Sequence, residues 1–236
     1  KYGTPSDAGD GVTGFAALGF GKLGGIEFGY GSDMDLVFIY DCQDDNALTN
    51  GAKSISCSQF YGRLGQKVMH MLNTNMLSGI LYEVDMRLRP SGKSGLLVSK
   101  VKAYEDYLKN DAWTWEHQAL IRGRFIAGDI KLKTEFERIR RIILAMPRDT
   151  EQLKKEVREM REKMRENLDV KKSGFFHLKH SKGGIADIEF IVQFGVLANT
   201  SKNQELVTYT DNVRLLDGLL KIGLFPEEAA DTMKSA

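Results

Sequence analysis

Hydrophobic and polar positions recur with two different periods along this chain, and the change of period organises it. In the first part the apolar runs are short and rich in β-branched and aromatic residues. Residues 15–20 read as one buried strand, and the run from Leu36 to Tyr40 reads as another. Residues 81–89 alternate: Tyr82, Val84, Met86 and Leu88 form one face, and Glu83, Asp85, Arg87 and Arg89 the other. A further strand is expected near 95–99, after the turn-forming run Pro90, Ser91, Gly92, Lys93, Ser94, Gly95. Between these strands, Phe60, Leu64, Val68, Met71 and Leu72 recur at helical spacing behind a polar loop.

Helical periodicity then takes over, with helices predicted over 102–110, 112–121, 135–144 and 150–168. The last carries a stripe of Leu153, Val157, Met160, Met164 and Leu168, and Asp149 with Gln152 resembles a capping box. A Lys-Lys-Ser-Gly stretch at 171–174 leads into an all-helical tail. There a helix is expected over 211–222, closed by Gly223, with Pro226 in the first turn of the next. The pattern is that of an α+β protein, a small sheet with helices followed by an all-helical domain. Three regions are expected: 1–130, a helical connector at 131–172, and a helical domain at 173–236. The chain lacks an initial Met and stops inside a predicted helix, so a fragment of a longer protein is expected.

Composition narrows the classes. The 236 residues carry 33 Lys and Arg against 32 Asp and Glu, so no global field favours nucleic acid. Charged residues make up 28 % and hydrophobic ones 42 %, an ordinary globular balance. No apolar run approaches the ~20 residues needed to cross a bilayer, and no signal-peptide pattern opens the chain. Cys42 and Cys57 suit a reduced, cytoplasmic setting.

The candidate chemistry stands at the mouth of the second strand, where Gly31 and Ser32 precede Asp33, Met34 and Asp35. Period-2 geometry puts Asp33 and Asp35 on one face, where two carboxylates repel unless a divalent cation sits between them. Gly31 permits a close phosphate approach and Ser32 adds a hydroxyl. Gly-Ser-Asp-x-Asp opening a strand is a nucleotidyl-transfer signature; Asp-x-Asp alone also occurs in surface loops, so the flanks decide. Upstream, Gly21, Gly24 and Gly25 surround Lys22 in a loop able to wrap phosphates, without the spacing of a Walker or Rossmann loop. Downstream, the polar face of 81–89 offers Asp85 as a third ligand and Arg87 and Arg89 as a phosphate clamp; the competing reading is a solvated edge strand.

Other residues invite weaker readings. His177 and His180 lack a third metal ligand nearby. His70 and His117 are expected to pack or cap within helices, and Trp113 and Trp115 to pack a core rather than stack an adenine. Lys182, Gly183 and Gly184 precede a helix whose N-terminus suits an anion. Asp187 and Glu189 do not share a helical face, which speaks against a second metal site.

Taken together, the segments 19–36, 84–92 and 113–120 strongly resemble bacterial glutamine-synthetase adenylyltransferases. The resemblance extends through residues 182–190 and 210–216 and covers nearly the whole chain. It implies a polymerase-β-like nucleotidyltransferase core beside a helical domain. It also implies transfer of AMP from ATP to a tyrosine hydroxyl of glutamine synthetase, in regulation of nitrogen assimilation. Members carry an adenylylating and an adenylyl-removing half, and Phe28, Gly29, Tyr30, Gly31 and Ser32 favour the adenylylating one. In the implied site Asp33, Asp35 and Asp85 hold two Mg²⁺ ions and Asp85 is the base. Gly31 and Ser32 hold the β- and γ-phosphates, and Lys22, Arg87 and Arg89 assist. Glutamine synthetase and a PII-type signalling protein are the implied partners; nucleic acid and membrane are not expected.

Rival readings are the adenylyl-removing half, in which phosphate releases ADP from the AMP–tyrosine ester, and a different nucleotidyltransferase acting on RNA ends or small molecules. Near-neutral charge disfavours RNA, and the large helical tail disfavours a minimal small-molecule enzyme. A catalytically silent nucleotide-sensing module would not require three clustered acids.

Overall fold

Strand β2 (Met34–Asp41) is the axis of a five-stranded mixed sheet. Its continuous apolar run is explained by burial on both faces: Leu36, Val37, Phe38, Ile39 and Tyr40 are all buried. On one side β2 pairs antiparallel with β1 (Gly14–Gly19), which pairs antiparallel in turn with β5 (Arg124–Gly128). On its other side β2 pairs in parallel, first with β3 (Val84–Asp85) and then with β4 (Val98–Lys100). The computed structural model describes residues 1–5, 14–42, 44–77, 79–168 and 175–235; the Lys-Lys-Ser-Gly stretch at 171–174 lies outside them. The fold is α+β, as the sequence pattern implies.

The chain forms two compact units, each drawn from two stretches. The first comprises Lys1–Ala112 with Arg122–Ile139, and the second Trp113–Ile121 with Arg140–Ala236. In the first, helix α1 is the short turn Gly21–Gly24, and helix α2 spans Cys57–Asn73 behind an N-cap in which Ser56 accepts the Gln59 N–H. α2 lies over the sheet at Gly65, where a Cβ would strike Val98 and press on Phe38. Leu36, Phe38, Tyr40, Cys57, Tyr61 and Val98 form the core between them. Met71, expected on that apolar stripe, is exposed, because the buried line of α2 runs through Cys57, Tyr61 and Gly65. His70 is likewise exposed rather than packed. Helix α3 (Val101–Asn110) packs against β2. Helix α5 (Ile130–Leu144) begins in this unit and runs into the second at Arg140; it starts five residues before the predicted segment, its first turn joined to Asp129, whose carboxylate accepts the Lys131 N–H.

The alternating segment 81–89 is the main departure from the predicted elements. Only Val84 and Asp85 pair as a strand, with Met34↔Val84 and Asp35↔Asp85 in register. Beyond them the chain turns, because the Asp85 carboxylate accepts the Arg87 N–H two residues on. The alternation of Met86, Leu88 and their neighbours therefore belongs to a folded loop.

The second unit is helical. Helices α4 (Thr114–Ile121), α6 (Thr150–Leu168), α7 (Ile185–Asn199), α8 (Asn212–Lys221) and α9 (Glu227–Ser235) pack on one another. Asp149 caps α6 through the Gln152 N–H at 2.7 Å, while the Gln152 side chain donates to Glu156 instead of closing the reciprocal half of the box. Asp211 caps α8 through the Arg214 N–H, and Gly223 follows it with φ of 75°. The Arg140 guanidinium is buried and donates to the carbonyls of Leu120, Ile121, Val207 and Tyr209, joining segments far apart in sequence. Trp113, expected to pack, is 72 % exposed, because it stands just before α4 and is tied by its backbone: its N–H donates to the Glu116 carboxylate and its carbonyl accepts from the Glu116 and His117 N–H groups.

Candidate active site

Parallel pairing of β2 with β3 sets the geometry. Residues in register across neighbouring strands point to the same face, so Asp35 and Asp85 stand side by side. Asp33 stands just before the strand, and with Asp35 and Asp85 it attracts the Arg87 guanidinium. The Met34 N–H donates to the Glu83 carbonyl at 2.8 Å and the Phe20 N–H to the Asp35 carbonyl at 2.9 Å, fixing the mouth of β2 on both sides.

The turn before these aspartates is closed by its own residues. The Ser32 N–H donates to the Gly29 carbonyl at 3.0 Å, and the Gly29 N–H returns to Ser32 Oγ at 3.3 Å. Gly31 is exposed at its tip, with nothing near where a Cβ would stand.

The glycines around Lys22 have a packing reason. Gly21 has φ of 53°, and a Cβ there would overlap Oδ2 of Asp35. A Cβ on Gly24 would enter the backbone carbonyl of Arg122, and one on Gly25 its guanidinium. Arg122 Nε donates to the Gly21 carbonyl at 3.1 Å and Nη2 to Glu27 at 2.6 Å, while Arg124 holds the carbonyls of Leu23 and Gly24. The glycines thus let two arginines about a hundred residues on grip the turn, which the expectation of a phosphate-wrapping loop did not foresee.

Beside the carboxylates lies an open cavity of about 460 Å³. Asp33, Glu83, Asp85, Arg87, Arg89 and Lys93 supply its polar lining, with Met69 and Leu97 among its apolar contacts. Asp35, Gly31, Ser32 and Lys22 do not line it. Lys93, on the 3₁₀ turn Gly92–Ser94, was read from sequence only as part of a turn; a lysine between glycines was the available signal.

Arg87 and Arg89 do different things. Arg87 donates from its backbone N–H to Asp85 Oδ1 at 2.8 Å and from Nε to Oδ2 at 2.7 Å, with Nη2 also on Oδ2. Burial alone would raise the Asp85 carboxyl, but the Arg87 hydrogen bonds outweigh it and hold the group below the usual carboxylate range. The Arg87 guanidinium is raised in turn, first by its bond to Asp85, with Asp35 and Asp33 adding attraction. It is the counter-charge of the carboxylate face. Arg89 instead donates to the carbonyls of Met86, Lys93 and Gly95, shaping the loop.

Among the described residues, no group of three or more His, Cys, Asp or Glu side chains is gathered as a ready metal site. Asp33, Asp35 and Asp85 all attract the Arg87 guanidinium, and oxygen donors of this kind are the ones a hard cation takes. Asp85 is simply engaged with Arg87. His177 and His180 form no such group either, His177 Nδ1 accepting the N–H groups of Lys179 and His180. At the start of α7 the expected anion position is taken from within: Asp187 accepts the Gly183 N–H at 2.7 Å.

Residues 1–139 match the family described as glutamate-ammonia ligase adenylyltransferase, and residues 151–236 match GlnD PII-uridylyltransferase. The chain belongs to the glutamate-ammonia ligase adenylyltransferase family. Relatives named bifunctional glutamine synthetase adenylyltransferase/adenylyl-removing enzyme include one from Methylococcus capsulatus, 54 % identical over 94 % of this chain and 24 % of its own length. Others come from Shewanella loihica, 50 % identical over 100 % of this chain and 25 % of its own, and Nitrosococcus oceani, 51 % identical over 95 % and 23 %. The chain spans about a quarter of the length of these relatives. They are enzymes by name, and their transferase title accords with the carboxylate face described above. No described helix is long and apolar enough to cross a membrane.

Proposed function

We propose that this chain carries a nucleotidyltransferase centre that moves AMP from ATP to a tyrosine hydroxyl of glutamine synthetase, with pyrophosphate leaving, in the bacterial cytoplasm where ATP is supplied. The observation that carries the reading is the register Asp35↔Asp85, which aligns the two carboxylates beside the Gly29–Ser32 turn in a chain of this family.

Asp33, Asp35 and Asp85 are the residues to hold two Mg²⁺ ions. Bound there, the ions would neutralise triphosphate charge and favour in-line displacement at the α-phosphorus. Asp85, kept ionised, stands as base for the tyrosine hydroxyl, whose own pKa is near 10. The exposed Gly31 offers its backbone N–H to the phosphates, and Ser32 offers the proton of a hydroxyl whose oxygen already accepts from Gly29. Arg87, released from Asp85, becomes a phosphate partner with Lys22, and Arg89 holds the loop that presents it. The match of residues 151–236 to a PII-uridylyltransferase supports a PII-type protein as a regulatory partner.

The test is transfer of label from α-labelled ATP to purified glutamine synthetase in Mg²⁺, followed by mapping of the labelled tyrosine. Label on tyrosine supports the reading. Because the relatives are named for both activities, a parallel incubation with adenylylated glutamine synthetase and phosphate is needed. ADP release there, without forward transfer, would assign the adenylyl-removing reaction instead.

A further inference from the structure

Helices α6 and α7 of the second unit, with the turn after α8, line an open cavity of about 330 Å³ remote in sequence from the aspartates. Its walls are apolar: Phe190 and Phe194 from α7, Phe225 and Leu224 from the turn, and Val157 from α6. Leu224 and the neighbouring Ile191 remain 38 % and 41 % exposed, so this unit does not cover the recess itself. A volume of this order suits a small organic ligand.

The charges lining it lean positive: Lys154, Arg158 and Arg161 stand against Asp187 and Glu162, and Glu162 is itself paired with Arg165. The Arg161 side chain, only 6 % exposed, lines the cavity, and its guanidinium carbon lies 5.9 Å from the centre of the Phe190 ring. Its Nε donates to Asp187 at 2.6 Å and its Nη2 to the His180 carbonyl at 2.9 Å, but its Nη1 is buried without an acceptor. Asp187 is already committed, also accepting from Arg165 at 3.1 Å and from the Gly183 N–H. At the rim, exposed Lys154 and Arg158 make no ion pair among the described residues. An orphan guanidinium N–H is an unmet demand for an acceptor, and two unpaired cations beside it give that demand a sign. An apolar recess with a cationic mouth calls for an apolar body carrying one anionic head.

We propose that this cavity is a binding site for a small carboxylate amphiphile, an aromatic or aliphatic acid. Its body packs among Phe190, Phe194 and Phe225, and its carboxylate engages Lys154 and Arg158 at the rim, with the Arg161 guanidinium adding positive charge beneath them. The site is separate from nucleotidyl transfer, and its test does not depend on that reading.

Titration calorimetry on the 236-residue chain compares 1-naphthylacetate, its neutral isostere 1-naphthylacetamide, and acetate. The acid should bind saturably at one site, about tenfold or more tighter than the amide, and acetate should give no detectable binding. The double variant K154E/R158E changes exposed positions only and should fold as the parent, with an unchanged melting temperature. In it the preference for the acid should shrink to about twofold or less. Phe194→Ala should weaken acid and amide together. Equal affinity for acid and amide in the parent would overturn the proposal in favour of a purely apolar anchor site for a protein partner. No binding of the acid at about 1 mM, or undiminished binding in K154E/R158E, would also overturn it.

Discussion

Arg87 grips both oxygens of Asp85, its backbone N–H reaching Oδ1 at 2.8 Å and its Nε reaching Oδ2 at 2.7 Å. Under the proposed chemistry the two residues serve opposite charges, Asp85 a cation and Arg87 a phosphate. Their pairing is then a closed state that substrate and metal must part. Arg87→Ala should therefore strengthen Mn²⁺ binding to the nucleotide-free chain by roughly threefold while weakening ATP binding. Calorimetric titration of each ligand checks this, and unchanged Mn²⁺ affinity would separate Asp85 from the metal.

Asp33→Asn and Asp35→Asn should each lower AMP transfer by about 10²-fold or more, since each removes charge from a face built for cations. Metal-free melting temperature should hold level or rise for Asp33→Asn, because carboxylate repulsion is relieved. Radiolabel transfer and thermal melts on the same samples decide it; full activity in either variant sinks the assignment.

Gly21 and Gly31 flank the site with contrasting tolerance. Gly21→Ala forces φ of 53° on a residue with a Cβ and drives that Cβ into Asp35, so it should cost about 1–3 kcal/mol of stability together with activity. Gly31→Ala meets open space and should leave the melt unchanged. Any loss of ATP affinity in Gly31→Ala then reports crowding of the phosphates, measured by calorimetry against the parent.

In the first unit Glu105 accepts from Arg138 and Lys109, and these bonds, Arg138 foremost, hold its carboxyl down at about 2 against the opposing effect of burial. A carboxyl depressed in the folded state stabilises above its unfolded value and loses that contribution as pH falls toward the folded one. Glu105→Gln should cost about 1.5–3 kcal/mol at pH 7, and the gap from the parent should close between pH 4.5 and about 2. Urea melts across that range give the test; a gap that persists at low pH would assign the effect to packing.

Contiguous apolar patterns made β1, β2, α6 and α8 legible from sequence, because each buries a face that repeats at its own period. Gly31 to Asp35 were placed at the mouth of a strand for the same reason, since that run leads into β2. The segment 81–89 misled because side chain–backbone bonds, from Asp85 to Arg87 and from Arg89 to three carbonyls, reproduce alternation without a ladder. The packing reason for Gly24 and Gly25 lay beyond any local window, because their space is taken by Arg122, about a hundred residues on, while Gly21 is held by its φ of 53° and by Asp35. Lys93 and the orphan Nη1 of Arg161 were invisible for want of geometry.

The antiparallel match of Leu18 with Phe125 and Ala17 with Ala127 bears on how this chain emerges from a ribosome. β5 follows α4, which belongs to the other unit. The nascent sheet therefore waits, its β1 edge bare, until synthesis has passed the residues that build part of a different body. Bare edges recruit strands from neighbouring copies. A piece trimmed at residue 112 would keep Asp33, Asp35 and Asp85 and yet lose the strand that seals Gly14–Gly19, and self-association is the expected result.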